Sequence, residues 1–338
     1  MKYVRYAEIE RNVWDSFINK MEKCPFNYTS DKIEFDVEYS QRIIANESFV
    51  LQEGKRILAV AAIYIEEDGE GNRQISWNGR YCLGPYIEES LNYQKQEKYG
   101  KEVAEYIDLI AEQYKCKEIW LRLDPLSNPR QSNTFYNYNF LLKYGYIDNS
   151  SLTQLIDLRK TQKDLYADIR KGHKSDIKKG QRYEIEIYDA SNITEEQIEL
   201  YKSIYELDAG KVTRNSELYM HYFYFIQNGL GALALAKYEE KYVAVMIVTF
   251  FQKTAYYSSY GELTEQLEGI PVGHAMQWKM MQYLKDRGIE SYELGEQVFG
   301  NTHYSCQDKK LIDISNYKRG FGGYTVPFWR GRKIIETR

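Results

Sequence analysis

The first half of the chain alternates between short apolar runs and turn-forming residues before it changes to a helical spacing. Apolar residues recur at three- and four-residue intervals between Val103 and Tyr114, which predicts a long helix. Branched and aromatic residues bounded by turn signals predict strands at 48–52, 57–65, 74–82 and 117–123. The predicted order is therefore hairpin, strand, helix, strand.

The second half repeats this order. Strands are predicted at 232–237, 242–251, 255–260 and 291–294. Between the last two, a turn at 269–273 leads into a helix that begins near His274. A repeat of this length indicates two similar lobes rather than a solenoid, which is built from shorter and more numerous units.

The repeat predicts an α/β fold with mixed (α+β) sheets and a tandem duplicated domain. A helix that closes at Gly145 precedes a strand at 153–157, so we place the boundary near residue 150. The prediction is an N-terminal domain at 1–150 and a C-terminal domain at 151–338, with one inserted helix at 165–182. A length of 338 residues suits two packed cores.

Composition and charge narrow the classes of function. Hydrophobic residues make up 43% and charged residues 28%, so the chain is globular rather than disordered. The 33 tyrosines suit clefts for polar ligands, although codon bias also explains them. A net charge of -4 does not favour duplex DNA. With no signal peptide and no apolar run of membrane-spanning length, we expect a cytoplasmic protein without a membrane span.

The cysteines and histidines show no metal-binding spacing. The cysteines lack C-x-x-C pairs and stand at Cys24, Cys82, Cys116 and Cys306. The histidines outside the helix start are equally scattered, at His173, His221 and His303. We expect neither a metal site nor a disulfide framework.

A glycine turn before the second predicted helix is the first chemical signal. Backbone N–H groups at a helix start can bind a diphosphate, and Val272, Gly273, His274 and Ala275 occupy that position. The first copy has Leu83-Gly84-Pro85 followed by Glu88 and Glu89, so its ligand site is expected to be lost or changed. An ordinary loop remains the alternative for both turns.

Four segments resemble the FemAB-like family when taken in order. They are the basic stretch 169–179, the turn at 273–275, the strand residues 293–295 and the Tyr-Lys-Arg-Gly-Phe-Gly-Gly run at 317–323. That family contains peptidoglycan bridge-forming aminoacyltransferases and GNAT-type acetyltransferases of surface polysaccharide clusters. The resemblance covers 150–326 by motif and the first half by architecture.

The resemblance implies two GNAT-like domains, with the acyl donor held by the second and the acceptor between them. Lys318 matches the family's lysine that stabilises charge on the transferred carbonyl or on a substrate phosphate, although Tyr317 stands where phenylalanine is usual. The long helical arm of some Fem enzymes is missing, which weakens the case for tRNA. The donor is thus acyl-CoA or aminoacyl-tRNA.

Acyl transfer to an amine needs a charge stabiliser and a proton acceptor. Lys318 and Arg319 are the candidates for stabilising the tetrahedral oxyanion. The candidate bases are His274, Glu293 and Glu296, with Glu296 favoured because strand ends open into clefts. A cap or packing role is the alternative for His274.

The basic stretch and the aromatic residues supply candidate substrate contacts. Arg170 and Lys174 are expected to bind a phosphate of the acceptor, with Tyr260, Tyr317 and Arg319 as further contacts. A solvated helix face is the alternative. The predicted function is N-acyl transfer to an amino group of a phosphate-linked sugar or peptidoglycan precursor. The rival is a non-catalytic double-GNAT protein that binds a nucleotide-sugar or a partner.

Overall fold

The structure is a computed structural model that describes residues 1–21, 23–127, 139–267, 269–301 and 307–335. The chain divides into two compact units, one comprising Met1–Ser151 with Pro327–Arg338 and the other Leu152–Val326. His303 and Cys306, which entered the metal and thiol predictions, lie outside the described residues.

The first unit combines short strands with three described helices. Its strands are β1 (Lys2–Arg5), β2 (Ile43–Asn46), β3 (Phe49–Glu53), β4 (Arg56–Ala61), β5 (Tyr64–Glu67), β6 (Arg73–Ile75), β7 (Cys82–Leu83), β8 (Tyr86–Ile87), β9 (Glu118–Arg122), β10 (Ile147–Asp148) and the C-terminal β18 (Arg330–Ile334). Its helices are α1 (Arg11–Ile18), α2 (Ser30–Tyr39) and α3 (Tyr93–Gln113).

These strands form two sheets, in the orders β1-β3-β4-β8 and β10-β18-β9-β6-β5-β2, with β7 also paired to β9. The position of β18 differs from the predicted domain division, which assigned every residue from 151 onward to the second domain. Antiparallel pairing with β9, from Arg330 opposite Arg122 to Ile334 opposite Glu118, satisfies the backbone of this segment within the first unit.

The second unit is built on one sheet, ordered β12-β13-β14-β15-β16-β11-β17. Its strands are β11 (Ser151–Asp157), β12 (Glu184–Tyr188), β13 (Gly231–Tyr238), β14 (Lys241–Phe251), β15 (Thr254–Glu262), β16 (Ser291–Gln297) and β17 (Tyr324–Phe328). Its helices are α4 (Gln162–Asp168), α5 (Lys171–Lys179), α6 (Glu195–Ala209), α7 (Ser216–Gln227), α8 (Val272–Asp286) and α9 (Lys309–Arg319).

The core of the second unit lies on both faces of β14, which is buried continuously from Val243 to Phe250. One face packs against apolar side chains of α8 and α5, among them Met276, Met280 and Ile177. Helices α6 and α7 contact the sheet as well. A central strand covered on two faces reads as an unbroken apolar run, which is why its sequence shows no alternation.

Three predicted elements are wrong in detail. The strand predicted at 57–65 is two strands, β4 and β5, which belong to different sheets. The strand predicted at 74–82 is interrupted by an isolated bridge between Trp77 and Arg80, where Asn78 and Gly79 adopt positive φ. The helix predicted at 165–182 breaks at Ile169 and Arg170, both extended, so that α4 and α5 are separate helices.

Two further expectations concerned the cysteines and a membrane-spanning helix. Cys24, Cys82 and Cys116 are buried free thiols. Among the residues that the structure describes, no helix combines the length and the apolar composition that crossing a bilayer requires.

Candidate active site

Two neighbouring strands of the second unit part halfway along their length. The parallel strands β15 and β16 pair at Thr254–Ser291, Ala255–Tyr292 and Tyr256–Glu293. Beyond that point β15 remains paired with β14 as far as Glu262, whereas β16 remains paired with β11. The carboxyl-terminal halves of β15 and β16 are therefore held by different neighbours, and a gap opens between them.

A cleft of about 900 Å³ begins at this gap. Its lining comes from β15, the start of α8, the end of α6 and one face of α9, and comprises Tyr205, Tyr257, Ser258, Ser259, Tyr260, Glu262, Pro271, Gly273, His274, Lys309, Lys310, Asp313, Ile314, Tyr317 and Lys318. We call this set the cleft. Aromatic rings with hydroxyl tips dominate it, together with lysines and carboxylates, which suits a polar substrate.

Lys318 places an ammonium group between the parting strands. It lies in the last turn of α9, and its Nζ is so close to Gly295 that a Cβ on that residue would come within 2.6 Å of it. On the other side, Nζ lies 6.0 Å from the centre of the Tyr257 ring. Burial lowers the pKa of Lys318, while the carboxylates of Glu293 and Glu296 act in the opposite direction.

The amino-terminal end of α8 meets the cleft through two tyrosines. The hydroxyl of Tyr317 donates to the carbonyl of Gly273 at 3.0 Å. A Cβ on Gly273 would come within 2.7 Å of the Tyr260 hydroxyl, so only glycine allows this approach. Burial raises the pKa of Tyr260 and of Tyr317, so both remain phenols at neutral pH.

The four residues predicted to seat the donor separate into two pairs. Val272 and Ala275 are buried, and Ala275 packs against the backbone of Gly180. Gly273 and His274 line the cleft. Helix α8 begins after Pro271, whose side chain makes no capping hydrogen bond. Backbone N–H groups in the first turn of a helix, here those of Gly273 and His274, are the kind of donors that bind anions.

At the corresponding helix of the first unit, a side chain caps the amino-terminal end. Helix α3 begins after Asn92, whose side-chain oxygen accepts from the backbone N–H of Lys95. Glu88, just before this helix, forms an ion pair with Arg56. A carboxylate and a filled cap oppose the binding of an anion at this end of α3.

His274 is neutral at physiological pH. Burial and the neighbouring His173 lower the pKa of His274 to about 4, and Arg170 acts in the same direction. Its Nδ1 is buried and has no hydrogen-bond partner among the described residues, and its Nε2 lies 3.9 Å from a carboxylate oxygen of Asp176. A group with this pKa accepts protons weakly at pH 7.

The two candidate carboxylate bases occupy different environments. Glu293 is buried on β16 and accepts a hydrogen bond from the hydroxyl of Thr153. Glu296 is exposed and does not line the cleft. Both lie close enough to Lys318 to influence its pKa, which makes them counter-ions of its ammonium group.

The basic residues predicted to contact the substrate also have different surroundings. Burial lowers the pKa of Arg319, and the positive charge of Arg170 acts in the same direction. Arg319 is held by neutral groups, with its Nη1 donating to Gln297 at 3.0 Å and its guanidinium 4.1 Å from the Phe299 ring centre. Lys174 instead donates to the carbonyl of Ala167.

Tyr205, Tyr257 and Glu262 line the cleft but were not predicted as site residues. Glu262 accepts a hydrogen bond from the Tyr260 hydroxyl. The sequence signal that was available is the run Tyr256-Tyr257-Ser258-Ser259-Tyr260, since such polar residues are unusual in a strand beside a buried central one. Tyr205 comes from a distant helix, and no local pattern marks it.

Comparison with known proteins agrees with this geometry. Residues 159–309 match the family described as acetyltransferase (GNAT) domain. No curated protein matches the chain by sequence.

Solved structures resemble the chain along nearly its full length. FemX superposes with a TM-score of 0.69 at 14% identity, covering 99% of this chain and 98% of that one. The C-terminal domain of a putative lysylphosphatidylglycerol synthetase from Agrobacterium fabrum has a TM-score of 0.61 at 11% identity, covering 96% and 90%. A tandem GNAT protein from the clavulanic acid biosynthesis pathway has a TM-score of 0.53 at 10% identity, covering 100% and 99%.

The predicted tandem GNAT-like fold and the resemblance to the Fem proteins are therefore confirmed at the level of the fold. Together with the domain match at residues 159–309, they show that the chain has a GNAT fold.

Proposed function

We propose that the protein transfers an acyl group to an amino group of a phosphate-linked sugar or peptidoglycan precursor, with Lys318 as the catalytic residue. The observation that carries this proposal is the partly buried ammonium group of Lys318 between β15 and β16, at the edge of a tyrosine-rich cleft. Removing a cation from water destabilises the folded protein, so groups with perturbed pKa values cluster at functional sites. The position of Lys318 at a strand gap in a GNAT domain supports a catalytic role.

The chemistry needs one positive group near the transferred carbonyl. The acceptor nitrogen bonds to the carbonyl carbon, and the bond from that carbon to the donor's sulfur or ribose oxygen breaks. One proton leaves the amine for the departing atom. The carbonyl oxygen becomes negative in the tetrahedral intermediate, and an ammonium already in place, away from bulk water, stabilises it. Lys318 supplies that charge.

The pair formed by Arg170 and Arg319 is the proposed phosphate site. Both guanidinium groups are positive, the charge of Arg170 acts on Arg319, and the structure shows neither in an ion pair with a carboxylate of the described residues. A phosphate relieves this repulsion and accepts the parallel hydrogen bonds that guanidinium groups donate. Lys174, which the sequence also suggested for this role, donates one hydrogen bond to the carbonyl of Ala167.

Acyl-CoA and aminoacyl-tRNA both remain donors under this proposal. The uncapped start of α8 at Gly273 and His274 supports a donor with a diphosphate. The name of one similar structure, a putative lysylphosphatidylglycerol synthetase, supports an aminoacyl donor and includes a phosphate-containing acceptor.

A panel of donors and acceptors tests the proposal. Acetyl-CoA and alanyl-tRNA are each combined with UDP-N-acetylmuramyl pentapeptide and with a UDP-linked amino sugar, and amide formation is followed by mass spectrometry. For the pair that reacts, Lys318→Ala is expected to lower kcat by roughly 10²- to 10³-fold, the cost of losing one oxyanion stabiliser.

Lys279→Ala is the matched control, because Lys279 is an exposed lysine on α8. Full kcat in Lys318→Ala contradicts the assigned role. Tight binding of a UDP-sugar by calorimetry without turnover on any pair contradicts the proposed enzymatic function and favours a binding protein.

A further inference from the structure

His173 connects two parts of the second unit that carry the proposed chemistry. It lies on α5 with only 3% of its surface exposed. Its Nε2 is 2.8 Å from the carbonyl oxygen of Tyr317, and its Nδ1 is 3.2 Å from Nη2 of Arg170. Because a guanidinium can only donate, Nδ1 accepts, and the proton of the neutral ring resides on Nε2 and is donated to Tyr317.

The backbone around Lys318 is attached to α5 at several points. Besides the bond to the Tyr317 carbonyl, the backbone N–H of Arg170 donates to the carbonyl of Gly320 at 2.8 Å. The imidazole lies directly against the Gly320 backbone, where a Cβ would be only 2.1 Å from Nε2. It also packs on Phe321, with ring centres 4.9 Å apart.

These attachments lie on both sides of Lys318 along the chain. Tyr317 precedes it, and Gly320 and Phe321 follow it, at the end of a helix whose last carbonyls accept from the backbone N–H groups of residues 320–322. The imidazole therefore adds a second hydrogen bond to the Tyr317 carbonyl, one residue before Lys318. Small movements of this turn move the ammonium group relative to the gap between β15 and β16.

We propose that His173 is a positioning residue, which holds the last turn of α9 through the carbonyl of Tyr317 and thereby sets the location of the Lys318 ammonium group. The catalytic consequence rests on the proposed function, whereas the effect on the location of Lys318 does not. The neutral state of the ring suits this role, since burial lowers the pKa of His173.

Two amide substitutions separate the two hydrogen bonds of the ring. In His173→Gln the side-chain amide reaches the place of Nε2 and can still donate to Tyr317. In His173→Asn the shorter side chain can accept from Arg170 but does not reach Tyr317. Unfolding in urea measures the stability of each variant. His173→Phe, which keeps an aromatic ring without hydrogen bonds, replaces the asparagine variant if that variant does not fold.

The readout that needs no substrate is the NMR titration of Lys318 in protein with ¹³C-labelled lysine. The resonance is assigned by its absence in Lys318→Arg. Wild type and His173→Gln are expected to share a pKa below that of free lysine, whereas His173→Asn and His173→Phe raise it towards the ordinary value as the ammonium gains water.

The kinetic readout uses the donor and acceptor pair that reacts in the panel. His173→Asn is expected to lower kcat roughly 10- to 100-fold with KM nearly unchanged, the effect of misplacing a catalytic group by about 1 Å, while His173→Gln restores most of the rate. An unchanged Lys318 pKa in both His173→Asn and His173→Phe overturns the proposal. Full activity of Lys318→Ala overturns the proposed function instead and leaves the titration result standing.

Discussion

The amino group of Lys318 occupies the space that a side chain on Gly295 would fill. A Cβ there would lie 2.6 Å from Nζ and 3.7 Å from Cε of the lysine. Gly295 also has a φ of 97°, a conformation that L side chains rarely adopt, and it lies where the pairing of β16 with β11 shifts register. The backbone of β16 is thus shaped around the ammonium group.

Gly295→Ala is predicted to move Lys318 out of the gap between the strands. The kcat of the reacting pair should fall by about 10²-fold, because the methyl group and the ammonium cannot share this space. Strain at positive φ should also lower the free energy of unfolding by roughly 1–2 kcal/mol. Activity assays and urea unfolding measure the two effects.

The matched control for this change is Gly288→Ala. Gly288 has a φ of 79°, but no atom lies within 4 Å of a Cβ there. It should lose similar stability while retaining its activity. An equal loss of kcat in the two variants would show that backbone strain, rather than the position of Lys318, limits the rate.

Arg170→Gln and Arg319→Gln are each predicted to raise the KM for a phosphate-bearing acceptor by roughly tenfold or more, since a charge-assisted hydrogen bond contributes about 1.5–3 kcal/mol. Lys174→Gln, from the same basic segment, should leave KM nearly unchanged because its ammonium is bonded to Ala167. Steady-state kinetics at fixed ionic strength measures all three. A larger effect of the Lys174 change would restore the original assignment of that residue.

The sequence pattern located the strands and the helix around the gap but not the gap itself. Strands β13 to β16 and helix α8 lie within a few residues of the predicted ranges, because alternation, turn residues and helical spacing are local properties. The separation of β15 from β16 depends on which neighbour each strand keeps. That choice is made by tertiary packing, and no local pattern encodes it.

Helix α9 is an element that the sequence pattern did not predict. Its segment is strongly polar, with Ser315 as its buried residue, so apolar periodicity gives no sign of a helix there. The importance of Lys318 came from the motif around it, whereas its burial and the contact with Gly295 came only from the fold. Likewise, Arg170 and Lys174 look equivalent in the sequence, but in the fold the charge of Arg170 acts on Arg319 whereas Lys174 donates to the carbonyl of Ala167.

Transfer activity is predicted to fall on the alkaline side as Lys318 loses its proton. The pKa of this partly buried lysine is lowered, so the ammonium is lost at a lower pH than in free lysine, and the rate declines as the pH rises through that value. Profiles of log kcat/KM against pH check this. Lys318→Arg should lack the alkaline limb, since arginine remains charged; the same limb in that variant would assign it to another group.

His274 is predicted to make the folded protein sensitive to acid. Its folded pKa of about 4 lies below the ordinary 6.5, so the unfolded chain binds the proton more readily between these values. The stability that the neutral ring provides is present above pH 6.5 and is lost as the pH falls through 4. His173 and Arg170 oppose protonation, whereas Asp176 favours it.

Urea unfolding between pH 4 and pH 8 tests this in wild type and in His274→Met, a flexible apolar replacement for a ring whose Nδ1 has no hydrogen-bond partner among the described residues. At pH 7 and 8 the ring is neutral in both folded and unfolded states, so the difference between the proteins should be constant there. At pH 4 the wild type should have lost roughly 3 kcal/mol more than the variant. If the free energies of unfolding of the two proteins run parallel across the whole pH range, His274 has the same pKa in the folded and the unfolded chain. The ring would then become exposed to water before it accepts a proton.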